Sequence, residues 1–152
     1  MGRMESLLRN HKIYDIVRKK WVQTSPEEIV RQSWVHKMHA KLGYPLSLIS
    51  LEKRIHEKGS ACNVSELHRR FDLVCYSFQK DHIFPLLLME FKADELSSGA
   101  FEQIIRYNHF IQAKFVALAN KEKVITGVKG QNGYVFMDRL PNYQELKNAS
   151  IF

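Results

Sequence analysis

Apolar positions recur at helical spacing in one stretch of the chain and gather in short runs elsewhere. Val30, Trp34, Met38 and Leu42 come at every fourth residue, which lines them along one side of a helix. Just ahead of them, Ser25-Pro26-Glu27-Glu28 places a serine at the N-cap, a proline at the first helical position and a glutamate three residues past the serine. That is a capping box. Gly43 with Tyr44-Pro45 behind it predicts the stop. Upstream, residues 13–21 (IYDIVRKKW) read as a short helix or an ordered arm. Downstream, residues 46–55 read as a strand, and residues 56–68, with Gly59, Ser60 and Asn63, as a loop.

Two strand-like runs follow, 71–75 (FDLVC) and 85–92 (PLLLMEFK), joined by a turn around 79–82. Ser97-Ser98-Gly99 opens a second helix that carries Phe101, Ile104, Ile105 and Ile111 on one side. Residues 115–119 form a further apolar strand. Residues 124–128 and 134–137 flank Gln131-Asn132-Gly133, and Asn-Gly is a hairpin signal. The order is helix, three strands, helix, strand and a terminal hairpin. It predicts a mixed α/β domain built on one central sheet.

Composition narrows this. A chain of 152 residues with 45% hydrophobic residues suits one domain spanning 1–152. No apolar run approaches the ~18 residues of a membrane span, and no extended apolar segment follows the N-terminal charges, so neither a membrane association nor a secretory signal is expected. Cys62 and Cys75 form no CxxC pair, which argues against a disulfide framework or zinc site and fits a reducing cytoplasm. Twenty-three Lys and Arg against sixteen Asp and Glu leave a net charge of +7. Such a balance favours a polyanionic partner, nucleic acid ahead of an anionic membrane.

The runs at 71–75 and 85–92 look built for burial, yet they contain Asp72, Glu90 and Lys92. Strand side chains alternate between faces, so Glu90 and Lys92 share one face and Phe91 points to the other. If the two strands adjoin, both carboxylates converge beside Lys92. Close carboxylates in an apolar setting resist joint ionisation. A divalent cation removes the difficulty, and a few oxygen ligands with room for water and phosphate suit Mg²⁺. The plainer reading is a same-face ion pair at a strand end. Glu-x-Lys is a weak pattern, since Glu145-Leu146-Lys147 matches it too.

The ordered set IYDIVRKKWVQTSPEEIVRQ, KLGYPLSLISLEK, RRFDLVCY, PLLLMEFKA, EQIIRYN and LPNY is more specific. It resembles the PD-(D/E)xK nuclease superfamily and, more narrowly, the N-terminal nuclease domain of type I restriction enzyme R subunits in a short stand-alone form. The resemblance covers roughly residues 13–145 and implies a restriction-endonuclease-like core, a mixed sheet flanked by helices. It implies that Asp72 and Glu90 bind metal with the Phe91 carbonyl, and that Lys92 is the catalytic lysine. Glu28, or its neighbour Glu27, matches the acid of the first helix; as a capping-box residue Glu28 needs no catalytic purpose. Gln103 and Tyr107, four apart on one helix face, match a Gln-x-x-x-Tyr pattern beside the active site; otherwise they are an ordinary polar pair. Arg31 and Arg106 are candidates for phosphate or plain surface charges, and Glu52 reads as a strand-surface residue rather than a ligand.

The resemblance thus implies a Mg²⁺-dependent DNA phosphodiesterase, an endonuclease, with Mn²⁺ as a substitute metal. Its partners would be DNA and either a second copy of the chain or other restriction or repair subunits. The alternative is a non-catalytic nucleic-acid-binding or assembly module that keeps the fold. Two departures stand out: Phe71 rather than Pro precedes Asp72, and Asn120 is followed by Lys121 where related domains read Asn-Gly. No Walker-type GxxxxGK[ST] is present, so ATP-driven translocation does not carry over.

Overall fold

The structure, a computed structural model, describes residues 8–52 and 71–148. Strands β1 (Leu8–Arg9), β2 (Lys12–Asp15) and β3 (Lys20–Gln23) form a small antiparallel sheet. Helix α1 (Pro26–Lys41) follows, then a 3₁₀ turn (Leu46–Leu48) and β4 (Ile49–Leu51). Next come β5 (Leu73–Gln79), β6 (His82–Phe91), α2 (Ser98–Ile111) and β7 (Phe115–Ala119). The hairpin β8 (Val124–Gly130) and β9 (Gly133–Met137) and helix α3 (Tyr143–Asn148) are the last described elements. The main sheet runs β4-β5-β6-β7-β8-β9, antiparallel throughout except for the parallel β6–β7 pair. Parallel neighbours need a crossover, and α2 provides it. This is the mixed α/β fold, with one central sheet flanked by helices, that the sequence pattern predicts.

The sheet is covered on both faces. Leu73, Cys75, Leu87, Met89, Phe91 and Phe115 pack with Val30, Trp34, Val35 and Met38 of α1 and with Leu146 of α3. The alternate residues Val74, Leu88 and Val116 pack with Ile104 and Tyr107 of α2. Burial on both sides explains why β6 reads as a continuous apolar run rather than an alternating one. Cys75 lies in this core, where burial pushes its thiol up to about 12. No helix of the described residues is long and apolar enough to cross a membrane.

Helix α1 starts as the capping signal predicts, with the Glu28 N–H donating to Ser25 Oγ at 3.1 Å. It stops at Gly43, whose φ of +69° is the left-handed conformation of a helix terminus. There the Tyr44 N–H reaches back to the Met38 carbonyl at 3.0 Å.

Four expectations need correction. Of the two readings of residues 13–21, the helix is wrong and the ordered arm is a hairpin: they span β2, a turn and the start of β3. The turn is held by Asp15, whose Oδ1 accepts from the Val17 and Arg18 N–H groups at 2.8 Å each. Residues 46–48 are a 3₁₀ turn rather than strand, and β4 is confined to Ile49–Leu51. The rest of that predicted strand, from residue 53, and the predicted loop at 56–68 lie outside the described residues. In the terminal hairpin the two linking residues are Gln131-Asn132, because Gly130 pairs with Gly133. Finally, the last described element is α3 and not a hairpin, with Asn142 and Glu145 bonding each other's backbone N–H at 2.8 Å as a second capping box.

Candidate active site

Antiparallel pairing of Leu73 with Met89 sets Asp72 beside Glu90 at the end of the β5–β6 ladder. Each carboxylate is fastened to the other's strand. The Phe91 N–H donates to Asp72 Oδ2 at 2.8 Å, and the Asp72 N–H donates to Glu90 Oε1 at 3.3 Å. Alternation puts Glu90 on the α2 face with Leu88, and Lys92, two residues on, follows it just past the strand. The Lys92 N–H is anchored to the Ala119 carbonyl of β7 at 2.9 Å. Asp72, Glu90 and Lys92 are therefore brought to one place.

Glu90 is 8% exposed. Burial raises its pKa strongly and the neighbouring Asp72 charge raises it further, while Lys92 pulls it back only in part. Two acids in contact, one of them buried, form a donor set that a divalent cation would suit. Among the described residues no group of three His, Cys, Asp or Glu is disposed to hold a metal. A metal here would rest on the Asp72–Glu90 pair and on backbone or water oxygens.

A second layer of charge lies behind Asp72. Glu28 is buried, and instead of returning to its own N-cap its carboxylate faces Arg18, Arg31 and Gln32. Arg18 Nη2 lies 2.9 Å from Glu28 Oε1, and Gln32 Nε2 donates to the same oxygen at 3.2 Å. Arg31 forms a close ion pair with Glu28, touches Glu52 Oε1 at 3.0 Å and stands 3.9 Å from Asp72 Oδ1. Burial alone would raise the Glu52 pKa, but the two arginines together hold it below the usual range. Glu28, Arg31, Glu52 and Asp72 enclose a cavity of about 70 Å³.

An open groove of about 400 Å³ runs alongside, lined by Glu27, Lys92, Ser97, Gln103 and Arg106. Glu27 borders both spaces, whereas Glu28 is reached only from the cavity. Gln103 Nε2 donates to Tyr107 Oη at 3.0 Å, so the two residues share a helix face as their spacing predicts. A wider groove of about 600 Å³, floored by Trp34, Leu42 and Leu140, contains none of these acids. Size does not locate the chemistry.

The family model described as Type I restriction enzyme R protein N terminus (HSDR_N) matches residues 26–141. The chain belongs to that family. No curated protein matches it. All the candidate residues lie within the stretch matched to the restriction enzyme R-protein family. Arg18 does not: it arrives from the turn between β2 and β3, and spacing gave no hint of it. Glu52 was read as a strand-surface residue; at the end of β4, with a φ of +50°, it turns its carboxylate between the two arginines. Arg31, a phosphate candidate by sequence, is 6% exposed and faces three carboxylates, while Arg106 stands in the open groove.

Proposed function

We propose that this restriction enzyme R-protein family member is a Mg²⁺-dependent DNA phosphodiester hydrolase of the PD-(D/E)xK type, cutting as an endonuclease. The single observation that carries the reading is the contact between the Asp72 and Glu90 carboxylates at a strand end, with Lys92 next to them. Asp72, Glu90 and the Phe91 carbonyl would hold the metal; Mn²⁺ would serve in its place. Once bound, the cation supplies the positive charge that polarises a phosphodiester and lowers the pKa of water.

The chain's own residues do the rest. Lys92 faces the groove and offsets the negative charge that builds on the phosphate as water adds to phosphorus and one P–O bond breaks. Arg106 offers a charged contact to a neighbouring phosphate. Gln103, oriented by Tyr107, presents its amide to the same groove. The net charge of +7 favours a polyanion. DNA and restriction subunits are the partners that family membership suggests.

One observation favours the other reading, a DNA-binding or assembly module without catalysis. Arg31 already stands near Asp72, so part of the acid charge is compensated within the chain. A cleavage assay on linear, supercoiled and single-stranded DNA separates the two. Expected is scission with Mg²⁺ or Mn²⁺ and none with EDTA. DNA binding with no metal-dependent scission of any form would favour the module.

A further inference from the structure

The acids at this site outnumber the two that the nuclease reading requires. Asp15, Glu28, Glu52 and Asp72 are linked through Arg18 and Arg31, Asp72 adjoins Glu90, and left unpaired the additional carboxylates would be oxygen ligands for a further cation. The two arginines prevent this. Arg18 is aimed by Asp15, which accepts both its backbone N–H and its Nε, so the guanidinium reaches Glu28 at 2.9 Å and Glu52 at 3.2 Å. Arg31 pairs with Glu28, holds Glu52 at 3.0 Å and faces Asp72 at 3.9 Å. Glu28 therefore has one oxygen toward each arginine, and Glu52 likewise. Their lone pairs point at guanidinium groups and not into the Asp72–Glu90 seat.

Charge counting agrees. With Glu90 deprotonated, as a metal ligand must be, five carboxylates face Arg18, Arg31 and Lys92, which leaves two negative charges, the complement of one divalent ion; Glu27 stands exposed at the rim, where water screens it. We infer that Arg18 and Arg31 act as fixed internal cations in place of a second metal. They limit the site to one divalent cation, held at Asp72–Glu90, and act as positioning residues that keep Glu28 and Glu52 off the metal. Arg31 also faces Asp72, at 3.9 Å from its Oδ1, and helps to position that carboxylate. The inference rests on the nuclease reading only in taking Asp72–Glu90 as the metal seat. The cap itself is set partly from outside the family-matched stretch, through Arg18.

The test counts bound Mn²⁺ per chain by electron paramagnetic resonance and calorimetry, without DNA. Wild type is expected to bind one. Arg31→Gln and Arg18→Gln should each free Glu28 and Glu52 and raise the count to two, and Arg31→Lys should return it to one. A purely structural role would alter melting but not the count. Because Arg31 is buried, its glutamine variant can fail to fold; Arg18, with a side chain 21% exposed, then carries the test. Wild type binding two Mn²⁺ overturns the inference alone. Folded variants that still bind one also overturn it. Wild type binding none overturns the nuclease reading along with it.

Discussion

The tripeptide pattern Glu-x-Lys occurs at Glu90-Phe91-Lys92 and again at Glu145-Leu146-Lys147, and the two copies have opposite fates. On β6 a spacing of two returns to the same face, so Glu90 and Lys92 lie together, and burial beside Asp72 raises the Glu90 pKa. On α3 a spacing of two diverges around the helix. Glu145 is a surface capping residue held by Arg139 at 3.1 Å, and the hydrogen bonds that its carboxylate accepts from Arg139 and from the Asn142 N–H keep its pKa low. Lys147 sits over the Tyr143 ring instead. The same residues give a buried acid beside a second acid or a helix start according to the element beneath them and the charge beside them.

The comparison is broken most sharply at the lysines. Lys92→Ala should lower metal-dependent DNA cleavage by roughly 10²–10³-fold, the scale of losing one preorganised charge at a reacting phosphate. Mn²⁺ affinity should be kept or strengthened, because both carboxylates remain and a nearby cation has gone. Lys147→Ala should leave cleavage at wild-type rate. Equal losses in both variants would mean that position on the sheet confers nothing.

At the glutamates the expected effect is smaller and appears in binding. Glu90→Gln should weaken Mn²⁺ by at least about 10-fold, since a ligand charge is lost, whereas Glu145→Gln should bind metal as wild type does; isothermal titration reads both. Metal-free stability should move the other way. The raised Glu90 pKa favours folding while the carboxyl is protonated, and that stability fades as pH rises above the ordinary value of 4.5 toward the raised one. In EDTA, Glu90→Gln should therefore melt above wild type at pH 8, by about 1–3 kcal/mol, with a smaller gap at pH 5. Smallest is the helix start: Asn142→Ala should cost about 1 kcal/mol in urea titration with no change in metal affinity.

How much of this was legible depended on how local its cause was. Helix α1 announced itself because Ser25, Pro26 and Gly43 act on their own backbone. The β2–β3 hairpin did not, because its turn is tied by the side chain of a buried aspartate, Asp15, and carries no glycine. The β5–β6 turn was placed correctly at 79–82, although Lys80 and Asp81 adopt positive φ without glycine. Helix α3 was readable in principle from Asn142-x-x-Glu145. The convergence of Asp72, Glu90 and Lys92 followed from strand alternation and one assumption of adjacency. The surrounding arginines could not be read that way. Arg18 meets Glu52 across 34 positions of sequence, in a turn whose Ile16 and Val17 pack against the core, and that tertiary placement leaves no local signal.

The most direct measurement of the central claim, that Asp72 and Glu90 seat a divalent cation, is thermal melting of wild type and Glu90→Gln in Mg²⁺ and in EDTA across pH 5 to 8. An ion that binds only the folded chain raises its melting temperature. Expected is a Mg²⁺-dependent rise for wild type at pH 8, shrinking toward pH 5 as protons compete more strongly with the ion for Glu90, and little or no rise for Glu90→Gln at any pH. An equal rise in both proteins, or none in wild type, would contradict the assignment.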